Sequence, residues 1–366
     1  MNTYKERMAL VEQEAKALNK KVYDDTLHHK DPTANELRQD KSPKIATLEE
    51  AIRKTGLKDG MTVSFHHHFR GGDKVVNMVV DKLAEMGFKN LHLAASSLSD
   101  VHKPLIEHIK NGVITQISTS GLRGDLAKEI SGGLMENPVI FRSHGGRGSA
   151  IASGDLHIDV AFLGASSSDA LGNACGYSRS ENAKSICGSL GYALPDAEYA
   201  DKVVILTDDL VAYPNTPNSI SERNVDYVVV VDSVGDSSKI SSGAIRDTKN
   251  PRDILLAQQA AKVIINSGYF KNGFSIQTGS GGASLAAVKY IRNKMMEDGI
   301  KASFALGGIT AHMVKMHEEG LIERLIDVQS FDKVAAESLK NNPMHKEVTA
   351  LEYAAADDTC SAVHYL

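Results

Sequence analysis

Two segments of the chain, KVVILT (202–207) and VDYVVVVD (225–232), are apolar at nearly every position. A strand with one wet face alternates polar and apolar residues, whereas one without alternation is covered on both faces. Such strands belong to a mainly parallel, open sheet with helices on both faces, and this α/β class is the expectation here. Further strands fall near 61–66, 89–95, 113–117, 137–142 and 158–163. Helices fall between them near 47–55, 74–86, 101–110, 124–132 and 147–153. The segment 74–86 shows the helical period in Val75, Val76, Val79, Val80, Leu83 and Met86, and Gly87 stops it. TLEE (47–50) reads as a capping box, with Gly56 as the residue that ends that helix.

Three regions follow from this pattern. Residues 1–45 form a polar helix (4–20) and an extended arm containing Pro32 and Pro43. Residues 46–245 form the first domain. A polar connection, 233–251, leads to a second alternating unit over 250–366. That unit opens with a helix at 252–266, carrying Ile254, Ala257, Ala261, Ile264 and Ile265 on one face. Strands FSIQT (274–278), ASFAL (302–306) and LIERLIDV (321–328) then alternate with helices at 283–297, 310–319 and 331–340. Three strands with two-sided burial make a poor sheet, so the second domain is expected to be incomplete. The abrupt apolar end, TCSAVHYL (359–366), suggests truncation. Within the first domain, residues 164–196 are rich in Gly, Ser, Ala and Asn. A loop that long is usually functional or disordered, and its small residues suit close backbone approach to a ligand.

Composition narrows the classes of partner. The net charge is −5, the pI is near 6.3, Trp is absent and aromatics make up 5%. Neither a cationic surface nor stacking platforms for nucleic acid are expected. No run approaches the ~20 apolar residues of a membrane span. The charged N-terminus lacks the apolar stretch of a secretory signal. The cysteines, Cys175, Cys187 and Cys360, are odd in number and at no metal spacing, which fits a reducing, cytoplasmic setting.

The chemistry concentrates in loops at strand ends. MTVSFHHHFRGGD (61–73) runs from a strand through three histidines into Arg70, Gly71 and Gly72, and Asp73 can cap the next helix. His66 and His68 share a face and His67 does not, which argues against three converging metal ligands, and no metal site is expected. STSGLRG (118–124), SHGGR (143–147) and YSR (177–179) also place an arginine in a strand-end loop, beside glycine in the first two and within the Gly-rich loop in the third. A guanidinium binds a carboxylate with two parallel hydrogen bonds, and glycine lets backbone N–H groups reach the same anion. Parallel-strand ends gather at one edge, so several such loops point to one anion site. QTGSGGAS (277–284) is a strand–glycine turn–helix unit. It matches neither a Walker loop nor a nucleophile elbow.

The blocks DGMTVSFHHHFRGGD (59–73), NLHLAASSLSD (90–100), TSGLRG (119–124), SHGGR (143–147) and DVAFLGASSSDALGNACGY (159–177) resemble the citrate lyase α subunit family, the citrate CoA-transferase component of that lyase. NSGYF (266–270), QTGSGGASLA (277–286), FALGGIT (304–310) and DVQSFD (327–332) continue the resemblance, which covers roughly 46–340. The resemblance implies two CoA-transferase-like domains, related to sugar-phosphate isomerases. It implies exchange of acetyl for citryl on an acyl-carrier (gamma) subunit through a mixed anhydride, without a covalent glutamyl-enzyme. A lyase (beta) subunit would then cleave the citryl thioester. No cofactor is expected on this chain, because the CoA-like prosthetic arm belongs to the carrier, and a homo-oligomer is expected.

On that footing Arg70, Arg123 and Arg147 share the citrate carboxylates. His66 or His67 binds its hydroxyl or a carboxylate, and Gly71, Gly72, His144, Gly145 and Gly146 complete the substrate site. Thr278, Gly279, Ser280, Gly281, Gly282, Gly307 and Gly308 face the thioester arm, with Gly281 and Gly282 as oxyanion donors. No residue is assigned to proton transfer. Family members are longer, and this chain is expected to stop where another strand should begin. Two other readings compete. One is a sugar-phosphate isomerase of the same broad fold, with Asp100 or Asp169 as base. The other is a non-catalytic scaffold whose loops are filled by their own side chains.

Overall fold

The structure is a computed structural model that describes residues 4–19, 41–241, 248–279 and 281–354. Most of the expected arm, part of the connection between the two units, Ser280, Cys360 and the segment 359–366 lie outside the described residues. Helix α1 spans Tyr4–Ala17 and α2 spans Leu48–Thr55. Thr47 and Glu50 form the expected capping box on α2, and Gly56 ends it at φ +75°.

The first unit then alternates. Its elements are β1 (Thr62–Phe65), α3 (Val75–Glu85), β2 (Leu91–Ala95), α4 (Leu105–Lys110), β3 (Ile114–Thr119), α5 (Gly124–Ser131), β4 (Ile140–Phe141), α6 (His144–Ala152) and β5 (Val160–Ala165). There follow β6 (Ser167–Asp169), β7 (Ala174–Cys175), α7 (Leu194–Tyr199), β8 (Lys202–Thr207), β9 (Leu210–Val211) and β10 (Tyr227–Val230). Seven of these strands form one parallel sheet in the order β10-β8-β5-β1-β2-β3-β4. They are the seven strands expected from the apolar pattern. Strands β1, β2 and β5 are buried at every position, as two-sided cover requires. The chain winds outward from β1 through β4, then returns to β5 on the other side of β1. Helices leave in opposite directions at that reversal and open a crevice beyond the carboxyl end of β1.

The second unit comprises α8 (Pro251–Ile265), β11 (Phe274–Ile276), α9 (Gly282–Asp298), β12 (Ala302–Ile309), α10 (Ala311–Glu318), β13 (Ile322–Ser330), α11 (Lys333–Asn341), β14 (His345–Glu347) and α12 (Ala350–Ala354). Its parallel sheet runs β11-β12-β13-β14. The expected three strands are therefore four. The expectation missed β14 because its sequence, HKE, offers no apolar run. Pairing with the edge of β13, Leu325 opposite His345, makes it a strand.

The Gly/Ser-rich segment 164–196 departs from expectation too. Part of it forms a small sheet, β7-β6-β9. Residues 188–192 dock the second unit. Ser189 Oγ donates to the Asp327 carbonyl at 2.8 Å, and the Ala350 N–H donates to the Gly191 carbonyl at 2.9 Å. Tyr192 packs among Leu306, Val328, Val348 and Ala350. The glycines permit approach of backbone to backbone across the two units, not to a ligand. A Cβ on Gly191 would lie 2.4 Å from the Val348 carbonyl oxygen and 2.6 Å from that of Val328. Gly191→Ala should therefore cost about 1–3 kcal/mol of stability. Urea denaturation should show an earlier midpoint, and limited proteolysis should release the second unit sooner than in the parent chain.

Candidate functional site

A cavity of about 460 Å³ lies beyond the carboxyl ends of the first sheet. The β1 loop contributes His67, Arg70 and Gly71, and the loop after β2 contributes Ser97, Ser99, Asp100 and Val101. Arg123 follows β3 and His144 follows β4. The second unit closes the cavity with Gln329 and Phe331, at the end of β13. Five residues expected from the strand-end loops thus meet at one edge: His67, Arg70, Gly71, Arg123 and His144.

Local geometry explains how the β1 loop turns. Residues Arg70–Gly72 form one 3-10 turn, in which Arg70 has φ +50°, a left-handed conformation that a side chain disfavours. Gly72 lies under Asp236, where a Cβ would meet the carbonyl oxygen at 2.1 Å. Asp73 accepts from the Val76 N–H at 3.1 Å and so caps the start of α3. The turn thereby lifts Arg70 over the Phe331 ring, 4.6 Å from its centroid. Arg70 Nη1 is buried without a partner. Burial, then repulsion from Arg123, lowers the Arg70 pKa, and Asp332 opposes this by attraction. Two guanidinium groups thus line one cavity with no ion-pair partner among the described residues.

The imidazoles are stacked. His67 and His144 lie 5.4 Å apart with 13° between planes, and Tyr192 packs on both, at 5.4 Å and 4.7 Å. Burial, then neighbouring His144, holds His67 well below its usual pKa. Burial, then Arg147, Arg123 and Arg70, lowers His144 to about 4. Both rings are therefore neutral at pH 7, and each presents an N–H donor without adding charge. His144 Nδ1 is buried and unpartnered.

Other expected site residues lie elsewhere. His66 is buried with both nitrogens engaged: Nε2 donates to the Gly164 carbonyl at 2.8 Å, and Nδ1 accepts from the His68 N–H at 3.3 Å. It has no donor left for a ligand. Arg147 is 3% exposed. Its guanidinium donates to both Asp196 oxygens at 2.8 and 2.7 Å, to Ser64 Oγ at 2.7 Å and to the Ala94 carbonyl at 3.3 Å. Those bonds consume the fork that a carboxylate ligand would need. Gly145 and Gly146 form the first turn of α6 behind His144, where Ser143 Oγ accepts from the Gly146 N–H at 3.0 Å and Gly145 faces Ala354. Gly72 serves packing, as described. Arg179 stacks on Tyr177 and donates to the Lys340 carbonyl, in a separate groove of about 390 Å³.

The glycine turn of the second unit is at the same edge of its sheet as Gln329 and Phe331, but none of its residues lines the cavity. Thr278 is buried, with Oγ1 donating to the Gly279 carbonyl at 3.1 Å. Gly281 caps α9 without a side-chain bond, and Gly282 begins it. Gly307 has φ +109° beside Gln277, and Gly308 makes room for the Phe331 ring, which a Cβ would meet at 2.2 Å. Asp169, a candidate base in the isomerase reading, has its carboxylate filled by the N–H groups of Leu171, Gly172, Asn173 and Asn215 and by the Asn173 amide. Asp100 lines the cavity. Sequence reasoning passed over Ser97, Ser99, Val101, Tyr192, Gln329 and Phe331. A search for arginine–glycine loops could not find them, although NLHLAASSLSD and DVQSFD contain four of the six.

Two parallel α/β units with a cationic cavity between the carboxyl edges of their sheets define a CoA-transferase-like protein. The alpha subunit of a malonate decarboxylase from Acinetobacter baumannii shares this fold at TM-score 0.64 and 15% identity, over 97% of this chain and 62% of that one. The family model "Citrate lyase, alpha subunit (CitF)" matches residues 42–366, and the chain belongs to that family. Citrate lyase alpha chains from Haemophilus influenzae and Escherichia coli are each 61% identical, over 318 and 309 residues. Those spans are 87% and 84% of this chain but 63% and 60% of the relatives, so the chain spans about three-fifths of their length. A Streptococcus mutans structure described as the alpha subunit of citrate lyase in complex with citrate superposes with TM-score 0.85 at 54% identity, over 96% of this chain and 69% of that one.

Two outcomes test the electrostatics. Removing one partner of the buried Arg147–Asp196 pair strands the other charge, so Asp196→Asn should cost about 3–5 kcal/mol in chemical denaturation. Stability should also pass through a maximum near neutral pH. Below about 6.5 the unfolded chain protonates His67 and His144, which burial in the fold holds neutral, so stability falls as pH drops toward 4. His157, raised to about 9 by hydrogen bonds to Asp159 and Asp201, contributes stability that is full below 6.5 and lost as pH rises through 9. Melting temperatures of His144→Asn and His157→Gln should show a flattened acid limb and a flattened alkaline limb respectively.

Proposed function

We propose that the chain binds citrate in the cavity between its two units and carries out the acyl-exchange step of citrate lyase, giving citryl-carrier and acetate from acetyl-carrier and citrate. The observation that supports this most directly is the pair Arg70 and Arg123. Two cations face one cavity with no carboxylate among the described residues paired to either. A polycarboxylate supplies the missing charge. Arg70 and Arg123 each take a carboxylate in charge-assisted bonds, and neutral His67 and His144 donate to the remaining oxygens. Citrate in the Streptococcus mutans relative supports the same ligand class.

The reaction asks little of acid–base groups. A carboxylate is a weak nucleophile toward a thioester, so placement against the carbonyl and stabilisation of the oxyanion carry the rate. The held citrate carboxylate adds to the acetyl carbonyl of the carrier thioester. The tetrahedral oxyanion collapses by expelling thiolate, which leaves a mixed acetyl–citryl anhydride. Return of that thiolate to the citryl carbonyl forms the citryl thioester and releases acetate. Atoms and charge balance without a covalent bond to this chain. The N-terminus of α9 at Gly281 and Gly282, outside the cavity, offers N–H donors to the arm. The prosthetic arm belongs to a carrier subunit, and a lyase subunit consumes the citryl thioester. No described helix is long and apolar enough to cross a membrane.

A titration separates this reading from its competitors. Citrate should raise the melting temperature where acetate and a sugar phosphate at equal concentration do not, since a bound state gains RT ln(1 + [L]/Kd). Isothermal titration should show Arg70→Ala weakening citrate by about 2–5 kcal/mol, because its guanidinium is largely buried. Arg123→Ala, at the exposed rim, should cost about 1 kcal/mol or less. Stabilisation by sugar phosphate with none by citrate would sink the assignment.

A further inference from the structure

We propose that Phe331 positions the Arg70 guanidinium for carboxylate binding, so that the anion site is complete only when the second unit is docked on the first. This rests on the citrate reading above and assigns a role in it to a residue outside the first unit.

A guanidinium can be held by its edge, through N–H donors, or by its face. Arg147 shows the first case: Asp196, Ser64 and Ala94 take its Nη1 and Nη2 donors, so its two-nitrogen end is already engaged, and only Nε makes no bond. Arg70 shows the second. Its Cζ sits 4.6 Å from the Phe331 ring centroid, and its Nη1 makes no bond. Contact with the ring face fixes the plane by cation–π attraction and leaves the donor fork unspent.

The ring is itself fixed. The Phe331 N–H donates to the Ile309 carbonyl at 2.8 Å. The ring occupies the space that Gly308 leaves empty. The next residue, Asp332, accepts from the Ala311 and Ala335 N–H groups at 2.7 and 2.8 Å, which ties the end of β13 to α10 and α11. With its oxygens so engaged, Asp332 attracts Arg70 without pairing to it. Two residues before Phe331, the Gln329 amide donates at 3.1 Å to the His67 carbonyl. That carbonyl also accepts the Arg70 N–H at 2.9 Å and so closes the turn carrying Arg70. Adjacent side chains of one strand end therefore hold the backbone and the guanidinium of the same left-handed turn.

The test compares Phe331→Leu, which keeps an apolar side chain but removes the ring face, with Phe331→Tyr, which keeps the ring. Citrate affinity by isothermal titration should fall roughly tenfold in the Leu variant and stay within roughly twofold of the parent in the Tyr variant. Without ligand, the Arg70 side-chain N–H resonance should carry an upfield ring-current shift in the parent and the Tyr variant that the Leu variant loses. Phe331→Met, which refills the space beside Gly308 without an aromatic face, should weaken citrate as the Leu variant does, whereas a merely packing role predicts parent-like affinity in it. Parent-like affinity in Phe331→Leu or Phe331→Met, equal weakening in the Leu and Tyr variants, or no ring-current shift in the parent overturns the proposal. A parent chain that binds no citrate overturns the proposed function and, with it, this role.

Discussion

The Arg147–Asp196 pair is the interaction on which the site's geometry rests. It joins four elements beneath the cavity: α6 through Arg147, α7 through Asp196, β1 through Ser64 and β2 through Ala94. Both side chains are almost wholly removed from water. A buried ion pair of this kind seldom adds net stability over an apolar contact of equal volume, yet it tolerates only one arrangement of its partners. Here that arrangement sets the start of α6, and with it His144, against the end of β1, which carries His67 and Arg70.

The second constraint is the contact between the two units. A continuous parallel sheet cannot reach around a ligand on its own edge, so the far wall must come from another body. The segment 164–196 provides the seat. Its glycines at 188 and 191 bring its backbone against Ser330, Val328 and Val348, closer than any side chain would allow. Strand β13, seated in this way, delivers Gln329 and Phe331 to the cavity. Composition that looked suited to a ligand is suited to a second backbone, since both demand the absence of Cβ.

Much of this was legible from residue patterns. The seven apolar strands and the helices between them follow from two-sided burial, which leaves little freedom in residue choice. The short β14 was not legible, because a three-residue edge strand is made by its neighbour's hydrogen bonds and not by its own apolarity. In the site, five of the residues expected from arginine and glycine at strand ends line one cavity. That pattern could not separate Arg70 and Arg123 from Arg147. All three have the same local chemistry, and what distinguishes them is whether a distant carboxylate takes the guanidinium. Asp196 lies 49 residues beyond Arg147. Likewise His66 and His67 are adjacent in sequence, but one ring turns to the Gly164 carbonyl and the other to the cavity.

By itself, then, the sequence determined the fold class, the sheet edge at which arginines and glycines gather, and, through its motif blocks, the family. These depend on local periodicity and on short runs of residues, which a linear pattern preserves. The tertiary structure alone decided which cations are free, which are spent in the core, and that the second unit supplies an aromatic face to one of them. Charge neutralisation and stacking are settled by groups distant in the chain, so no local pattern records them.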